Sequence, residues 1–300
     1  MEFDAIVVGG SFAGLSAAMQ LARARRRVLI VDAELPRNRF SHASHGFFGQ
    51  DGRKPADIIA DARAMVLAYP TVDFVKGEAV HAARTDDGFA VTLANGDKHE
   101  VARLVLATGL IDELPEVPGL VERWGKSVFP CPYCDGYEVA GRRIGVLATF
   151  PQIHTAMLLP DWGDTTFFTN EAMTLDDEQT AALHGRGVAI ETAPVVALIG
   201  DAPALSGVQL AGGRVTPIDA LFTVGTTRMA SPLAEQLGCE FDEGPLGPVI
   251  RTDEFQATTV PGVYAAGDAA QAFANATMAS ANGVMAGVGA HQSLVFARAA

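Results

Sequence analysis

The sequence predicts an α/β chain of two nucleotide-type domains, the second inserted into the first. Three observations carry this reading. A strand, a glycine turn and a helix open the chain in "FDAIVVGGSFAGLSAAMQLARA", and "RVLIVDA" follows as a second buried strand. The strand-helix alternation restarts at "RRIGVLATF", after the proline-rich passage "DELPEVPGL". A second irregular passage, "DEGPLGPVI", precedes "TTVPGVYAAGDAA" and a long helix of small residues. Strand-helix-strand units imply parallel sheets joined by right-handed crossovers. The expected boundaries are 1–115 with 245–300 for the first domain and 116–244 for the second.

Each element has a local reason. "KPADIIADARAMVLAYP" reads as a helix closed by Pro70, and "VDFVKG" as the strand after it. "FAVTLANGDKHEVARLVLATG" is a hairpin around an Asn95-Gly96 turn, running into another buried strand. In the second domain a helix is expected from about Pro151, then the strand "TTFFTN", a helix around "LDDEQTAALHGRG", and the strand "VAIETA". Hairpin-like segments continue to "ALFTVG".

Bulk properties narrow the function classes. Three hundred residues, 49% hydrophobic and 19% charged, suffice for two packed cores. Thirty-five acidic against 22 basic residues give a net charge of -13, which repels nucleic acid and anionic membrane. The one basic cluster, "RARRR" at Arg23 to Arg27, closes a helix, where cations suit the dipole. No apolar run reaches the length of a membrane span, and Asp4 and Gly9 interrupt the early apolar run that a signal peptide needs. Three cysteines do not make a secreted disulfide scaffold, so a cytoplasmic location is expected.

The first glycine turn, "GGSFAG", places Gly9, Gly10, Ser11 and Gly14 between strand and helix, with Asp32 eighteen residues after Gly14. Glycines there let the backbone turn tightly and approach a pyrophosphate at the helix N-terminus, while the acid can bond an adenosine ribose. Ser11 stands where a middle glycine is usual. Two further strand ends, "LVLATG" at Thr108-Gly109 and "GVYAAGD" at Gly267-Asp268, fit the same kind of site.

The stretch "CPYCDGYE" holds Cys131 and Cys134. Zinc would need two more soft ligands at metal spacing, and Cys239 stands alone in "QLGCEF", where it reads as a small buried hydrophobe. A structural disulfide across two residues closes almost no loop entropy. Dithiol-disulfide redox chemistry remains, with no metal site expected.

"VVGGSFAG", "ATG" and "GVYAAGD" resemble the FAD-binding segments of the two-dinucleotide-domain flavoproteins, and "CPYCDG" is similar to the low-molecular-weight thioredoxin reductases. The resemblance runs along the whole chain. It implies two Rossmann-like, FAD/NAD(P)-binding domains with parallel sheets, helices and hairpin additions. It puts the FAD pyrophosphate on Gly9, Gly10 and Gly14, the ribose on Asp32 and the ribityl chain near Asp268, with Ser11 also in the cofactor set. Val80, Thr108, Gly109 and Gly267 complete the implied cofactor set, and the C-terminal helix from near Ala276 would point its positive end at the isoalloxazine. By the same resemblance Cys134 faces the flavin, Cys131 meets the substrate, Asp135 moves a proton, and the chain is a homodimer.

One departure stands out. Where the second domain should carry a glycine turn for NADPH, "RRIGVLATFPQIHTA" has Ala148, Phe150 and Ile153. The next strand runs into "FFTNEAMT", with Glu171 and no Arg or Lys for a 2′-phosphate. NADPH binding is therefore not expected. The combination resembles the thioredoxin-reductase-like dithiol oxidases that close disulfides in holomycin-, gliotoxin- and romidepsin-type natural products. The expected reaction is disulfide formation in a small-molecule or peptide dithiol, with O₂ as acceptor and H₂O₂ as product. The alternatives are an NADPH- or ferredoxin-dependent disulfide reductase, and a flavin-bound redox sensor. Those oxidases often carry His where this chain has Asp135, so His45 in "SHASHGFFGQDG" is a second candidate base. Phe47, Phe48, Trp124 and Tyr133 are candidate walls for an apolar substrate.

Overall fold

The computed structural model describes residues 1–273 and 275–296. It has two compact units, one of Met1–Arg39, Pro55–Ile111 and Thr227–Ala300, the other of Phe40–Lys54 and Asp112–Thr226. Both are Rossmann-like, and the second is inserted into the first.

The first unit opens with β1 (Phe3–Val8), α1 (Phe12–Arg23) and β2 (Val28–Asp32), followed by α2 (Pro55–Leu67), β3 (Val72–Lys76), β4 (Ala79–Thr85), β5 (Gly88–Leu93) and β6 (Lys98–Leu106). The chain leaves through β7 (Leu110–Glu113). The second unit runs β8 (Val128–Phe129), α3 (Pro132–Asp135), β9 (Arg143–Leu147), α4 (His154–Leu158), β10 (Asp164–Phe168), α5 (Asp177–Gly185) and β11 (Ala189–Glu191). It continues through β12 (Val195–Ile199), β13 (Gly207–Leu210), β14 (Val215–Thr216) and β15 (Ala220–Phe222). After β16 (Thr226–Met229) the first unit resumes with α6 (Leu233–Leu237), β17 (Phe241–Glu243), β18 (Pro248–Ile250), β19 (Val263–Ala265) and α7 (Ala276–Val295).

In the first unit the sheet order is β3-β2-β1-β6-β5-β4, with β19 also on β6. β1, β2, β3 and the second half of β6 pair in parallel, as does β19. β6 is long enough for two tasks: residues 98–101 pair antiparallel with β5, and 104–106 pair with β19. Its strands are apolar on both faces because both faces are covered. Ala5, Val7, Val28 and Ile30 join α1 and α7 on one side, while Ile6, Val8, Leu29 and Val31 pack on the other. The small residues of α7 allow close approach to α1, since a β-carbon on Gly283 would lie 2.1 Å from the Ala13 carbonyl oxygen.

The second unit repeats the plan in a five-stranded sheet, β11-β10-β9-β15-β8, parallel throughout. Phe167 and Phe222 face one core cluster and Phe168 and Leu221 the other, all fully buried. An antiparallel β12-β13-β14 sheet is added.

Two chain segments fall differently from the sequence-based boundaries. Residues 227–244 belong with the first unit because Leu233, Ala234 and Cys239 pack into its core beside Ile250. Residues 40–54 belong with the second, where Phe40 lies against Gly125. The helix expected from Pro151 begins at His154 and has five residues before a 3-10 turn, Leu159–Asp161. Among the described residues no helix is long and apolar enough to cross a membrane.

Candidate active site

In the first unit, three adjacent parallel strands, β1, β6 and β19, end at Gly9, Ala107-Thr108 and Gly267. Ligands of open α/β sheets bind at these carboxyl ends. Gly9 has φ of +108°, and a β-carbon there would lie 2.1 Å from the Ala107 carbonyl oxygen. One on Gly14 would lie 1.8 Å from the Gly9 carbonyl oxygen, so the helix can sit on the turn only without a side chain. One on Gly10 would meet Asp32 Oδ2 at 2.7 Å, which brings the acid to the turn.

The start of α1 has the chemistry of an anion site. Ser11 is its N-cap but makes no side-chain cap bond, and no acid stands in the first turn. A helix start of this kind presents backbone amides to an anion. The contrast with α5 is direct, where Asp176 and Gln179 form a reciprocal capping box. α7 is likewise capped, its Asn275 Oδ1 accepting from the Met278 amide at 2.9 Å.

Asp32 closes β2 and pairs with Arg63 Nη2 at 3.3 Å. Arg63 also donates to Glu34 Oε1 at 2.6 Å, and Lys76 Nζ lies 2.5 Å from Glu34 Oε2. The hydrogen bonds from Lys76 and Arg63 hold the Glu34 carboxyl down at about 2. Val80 lies three residues past Gly77, whose amide donates to the Asp32 carbonyl at 2.9 Å; its own carbonyl accepts from Gln236. Gly109 has φ of +71° beside Thr108 at the end of β6. Asp268 follows Gly267 in a 3-10 turn and accepts from Arg37 Nη1 at 2.8 Å. Gln271 Oε1, in the same stretch, is buried without a hydrogen-bond partner. These residues fit a nucleotide cofactor with a pyrophosphate and a ribose.

The second unit builds the dithiol. β8 ends at Phe129, and Cys131 becomes the N-cap of α3 with Pro132 in the first helical position, where its missing amide costs nothing. The turn is held from behind. A β-carbon on Gly136 would lie 3.0 Å from the Trp162 ring, and Tyr133 meets that ring edge-on at 5.8 Å. Both cysteines are half-buried, and Cys134 Sγ donates to Cys131 Sγ at 2.6 Å. That bond, aided by the amides of Cys134 and Tyr133, lowers the Cys131 thiol to about 7. Cys134 is pushed well above the ordinary thiol range by giving the bond, by burial and by the charges of Cys131 and Asp135. Of the two, Cys131 is the sulfur that ionises more readily. Burial raises Asp135 to about 6; the Glu138 charge adds to the rise and the His45 charge opposes it.

His45 stands near this turn, with Nδ1 3.4 Å from Glu138 Oε1 and 3.8 Å from Asp51 Oδ1. Glu138, Asp51 and Arg37 were not singled out by the sequence; Glu138 and Arg37 have their partners, His45 and Asp268, far away along the chain. Trp124 is a core residue, buried beside Leu120 and Val128, and is no pocket wall. Phe48, Tyr137 and Tyr133 are exposed, at 97%, 82% and 66%. An open cavity of about 460 Å³ touches His42, Lys126, Arg142 and Asp219, at the amino end of β9 and away from the dithiol. Cys239 is buried, its sulfur 3.6 Å from the Thr258 hydroxyl.

The sequence profile of the family described as pyridine nucleotide-disulphide oxidoreductase matches residues 3–148 and 163–283. The chain belongs to this family. It is an FAD-dependent thiol-disulfide oxidoreductase. Relatives match it along almost its full length. Thioredoxin reductase tcpT of Claviceps purpurea (strain 20.1) is 32% identical over 297 residues, spanning 95% of this chain and 92% of the relative. Thioredoxin reductase sirT of Leptosphaeria maculans is 30% identical over 307 residues, spanning 96% and 93%. The crystal structure of an oxidoreductase from Agrobacterium tumefaciens superposes with a TM-score of 0.95 at 47% identity, covering 99% of each chain.

These relatives correct three expectations. The dithiol-oxidase branch gives way to a thioredoxin-reductase-like assignment, because the named relatives are thioredoxin reductases. The O₂-dependent oxidation of a small-molecule or peptide dithiol falls with it. The exclusion of NADPH is overturned too, since the family takes a pyridine nucleotide as well as FAD. The departure at the second turn is nonetheless real. Ala148 is buried there, Thr149 Oγ1 donates to the Val224 carbonyl at 2.8 Å, and α4 has five residues. These residues do not reproduce the glycine cradle of β1-α1.

Proposed function

We propose that the protein is an FAD-dependent disulfide reductase of the thioredoxin-reductase type, passing electrons from NADPH to the disulfide of a thioredoxin-like protein. The observation that carries this reading is the Cys131-Cys134 pair, with adjacent sulfurs and opposite displacements of their thiols. The first unit is assigned to FAD, with its pyrophosphate on Gly9, Gly10, Ser11 and Gly14, its ribose on Asp32 and its ribityl chain near Asp268. Val80, Thr108, Gly109 and Gly267 belong to the same assignment. The inserted unit is assigned to the dithiol and the nicotinamide coenzyme. A cytoplasmic homodimer fits the family resemblance.

Bound FAD supplies a two-electron store between the nicotinamide coenzyme and the dithiol. The chain's own residues do the sulfur chemistry. Cys131, as thiolate, attacks one sulfur of the partner disulfide, forming a mixed disulfide and releasing one partner thiolate, which takes up a proton. Cys134 then loses its proton to the Asp135 carboxylate and attacks Cys131 Sγ. The second partner thiolate leaves, and Cys131 and Cys134 end as a disulfide. Two electrons have passed from enzyme dithiol to partner. Asp135, raised to about 6, is mostly carboxylate at neutral pH yet basic enough to accept the thiol proton. Exposed Phe48, Tyr133 and Tyr137 beside the turn suit the apolar rim of a small protein that presents its disulfide there.

The test mixes FAD-loaded enzyme, NADPH and an oxidised thioredoxin. The expected result is one NADPH consumed per disulfide opened. Cys131→Ser and Cys134→Ser should each lower turnover more than about 1,000-fold while retaining flavin. Absence of NADPH consumption by the wild-type holoenzyme would refute the proposal.

A further inference from the structure

Asp135 does not stand alone. It ends α3, and the chain continues without a break through Gly136 into the 3-10 turn Tyr137–Val139. The amide of Gly136 donates to the Pro132 carbonyl and that of Val139 to the Gly136 carbonyl. Asp135 and Glu138 are therefore three residues apart on one continuous helical turn, a spacing that makes side chains neighbours.

The loop 40–54 brings the third group. Its ends are tied by Ser44 and Arg53, whose amide and carbonyl bond at 2.7 Å, and by the Gly52 amide to the Ser44 carbonyl at 2.9 Å. The Gly46 amide donates to Asp51 Oδ1 at 2.8 Å. A β-carbon at Gly46 would sit 4.0 Å from the Tyr133 carbonyl oxygen, so the loop lies on the dithiol turn. His45 is thereby fixed between Glu138 and Asp51. Its side chain is 23% exposed, while those of Glu138 and Asp51 are 36% and 72% exposed. Of the three, Asp51 is the most exposed and His45 the least. The titratable groups around Asp135 among the described residues are Cys131, Cys134, Glu138 and His45, with Asp51 behind His45 and the exposed Tyr133 and Tyr137 on the same turn.

We propose that Glu138 and His45, clamped between the redox-active turn and the 44–53 loop, are positioning residues that govern proton uptake by Asp135 when the mixed disulfide is resolved. The proton leaves Cys134 Sγ for the Asp135 carboxylate; no electrons move in this step. Glu138, a like charge, resists formation of the Asp135 carboxylate, and protonated His45 supports it. This rests on the assignment of Asp135 as the proton acceptor for Cys134.

The experiment uses reduced, desalted FAD-loaded enzyme mixed with 5,5′-dithiobis(2-nitrobenzoate) in a single turnover. The first thionitrobenzoate released reports attack by Cys131, and the second reports resolution by Cys134. The second rate should rise with pH as Asp135 ionises, and Asp135→Asn should abolish that rise. Glu138→Gln should move the rise to lower pH and His45→Asn to higher pH, each leaving the first release and the flavin content unchanged. Opposite displacements are not expected from a general loss of packing. If Asp135→Asn removes the rise but Glu138→Gln and His45→Asn leave it in place, or move it the same way, the positioning role is refuted and Asp135 stands. If Asp135→Asn leaves the rise intact, the assignment of Asp135 itself fails, and the positioning role with it.

Discussion

β1 and β9 each run into a turn and a helix, one in each unit, with opposite chemistry. At β1-α1 the strand runs into Gly9 and Gly10, and a 12-residue helix begins with no side-chain cap. At β9-α4 the strand runs into Ala148, Thr149 and Phe150, and the helix has five residues. The second turn is satisfied internally, by Thr149 on the Val224 carbonyl and Thr223 on the Leu147 carbonyl. Both strands are nevertheless central in their sheets, paired in parallel on both sides. Strand pairing and two-sided burial therefore build the fold, while the capacity of a turn to hold a phosphate depends on a few β-carbons and on how the helix start is capped.

Substitutions at the two turns should separate these roles. The largest effect is expected for Gly14→Ala, whose β-carbon would meet the Gly9 carbonyl at 1.8 Å. Flavin content should fall to near zero, and overpacking should destabilise the unit by about 1–3 kcal/mol, read by absorbance and thermal melting. A smaller effect is expected for Asp32→Ala. It should weaken FAD by roughly ten- to a hundredfold, equivalent to about 1.5–3 kcal/mol, measured by titrating apoprotein with FAD. An unchanged affinity would remove Asp32 from the ribose site. The smallest effect belongs to the second turn. Ala148→Gly should cost no more than about 1 kcal/mol and leave flavin content intact; flavin loss there would break the comparison.

Much of this was legible because it is local in sequence. Glycine spacing, an acid at the end of the next strand, and two cysteines astride a proline turn all fall within short stretches. Both Rossmann-like sheets follow from apolar runs buried on two faces. The proton cluster was only half legible. Asp135 adjoins Cys134, whereas Glu138 meets His45 only after the 40–54 loop folds back onto a turn 93 residues further on. Arg37 reaches Asp268 across 231 residues, with no spacing to announce it. The return to the first unit near 227 was hidden because 227–244 has no strong period, and only packing of Leu233 and Cys239 assigns it. The exclusion of NADPH weighed one turn, and the missing basic residues after the next strand, above the likeness of the whole chain. A local loss of backbone contacts alters how a ligand is held, and the full-length kinship to thioredoxin reductases outweighs it.

The most direct test of the electron path is anaerobic mixing of the FAD-loaded enzyme with NADPH while the flavin absorbance is followed. Bleaching by NADPH, with recovery on adding an oxidised thioredoxin and no recovery in Cys131→Ser, is the expected result. A flavin that stays oxidised with NADPH and bleaches only with a dithiol such as dithiothreitol would contradict the account.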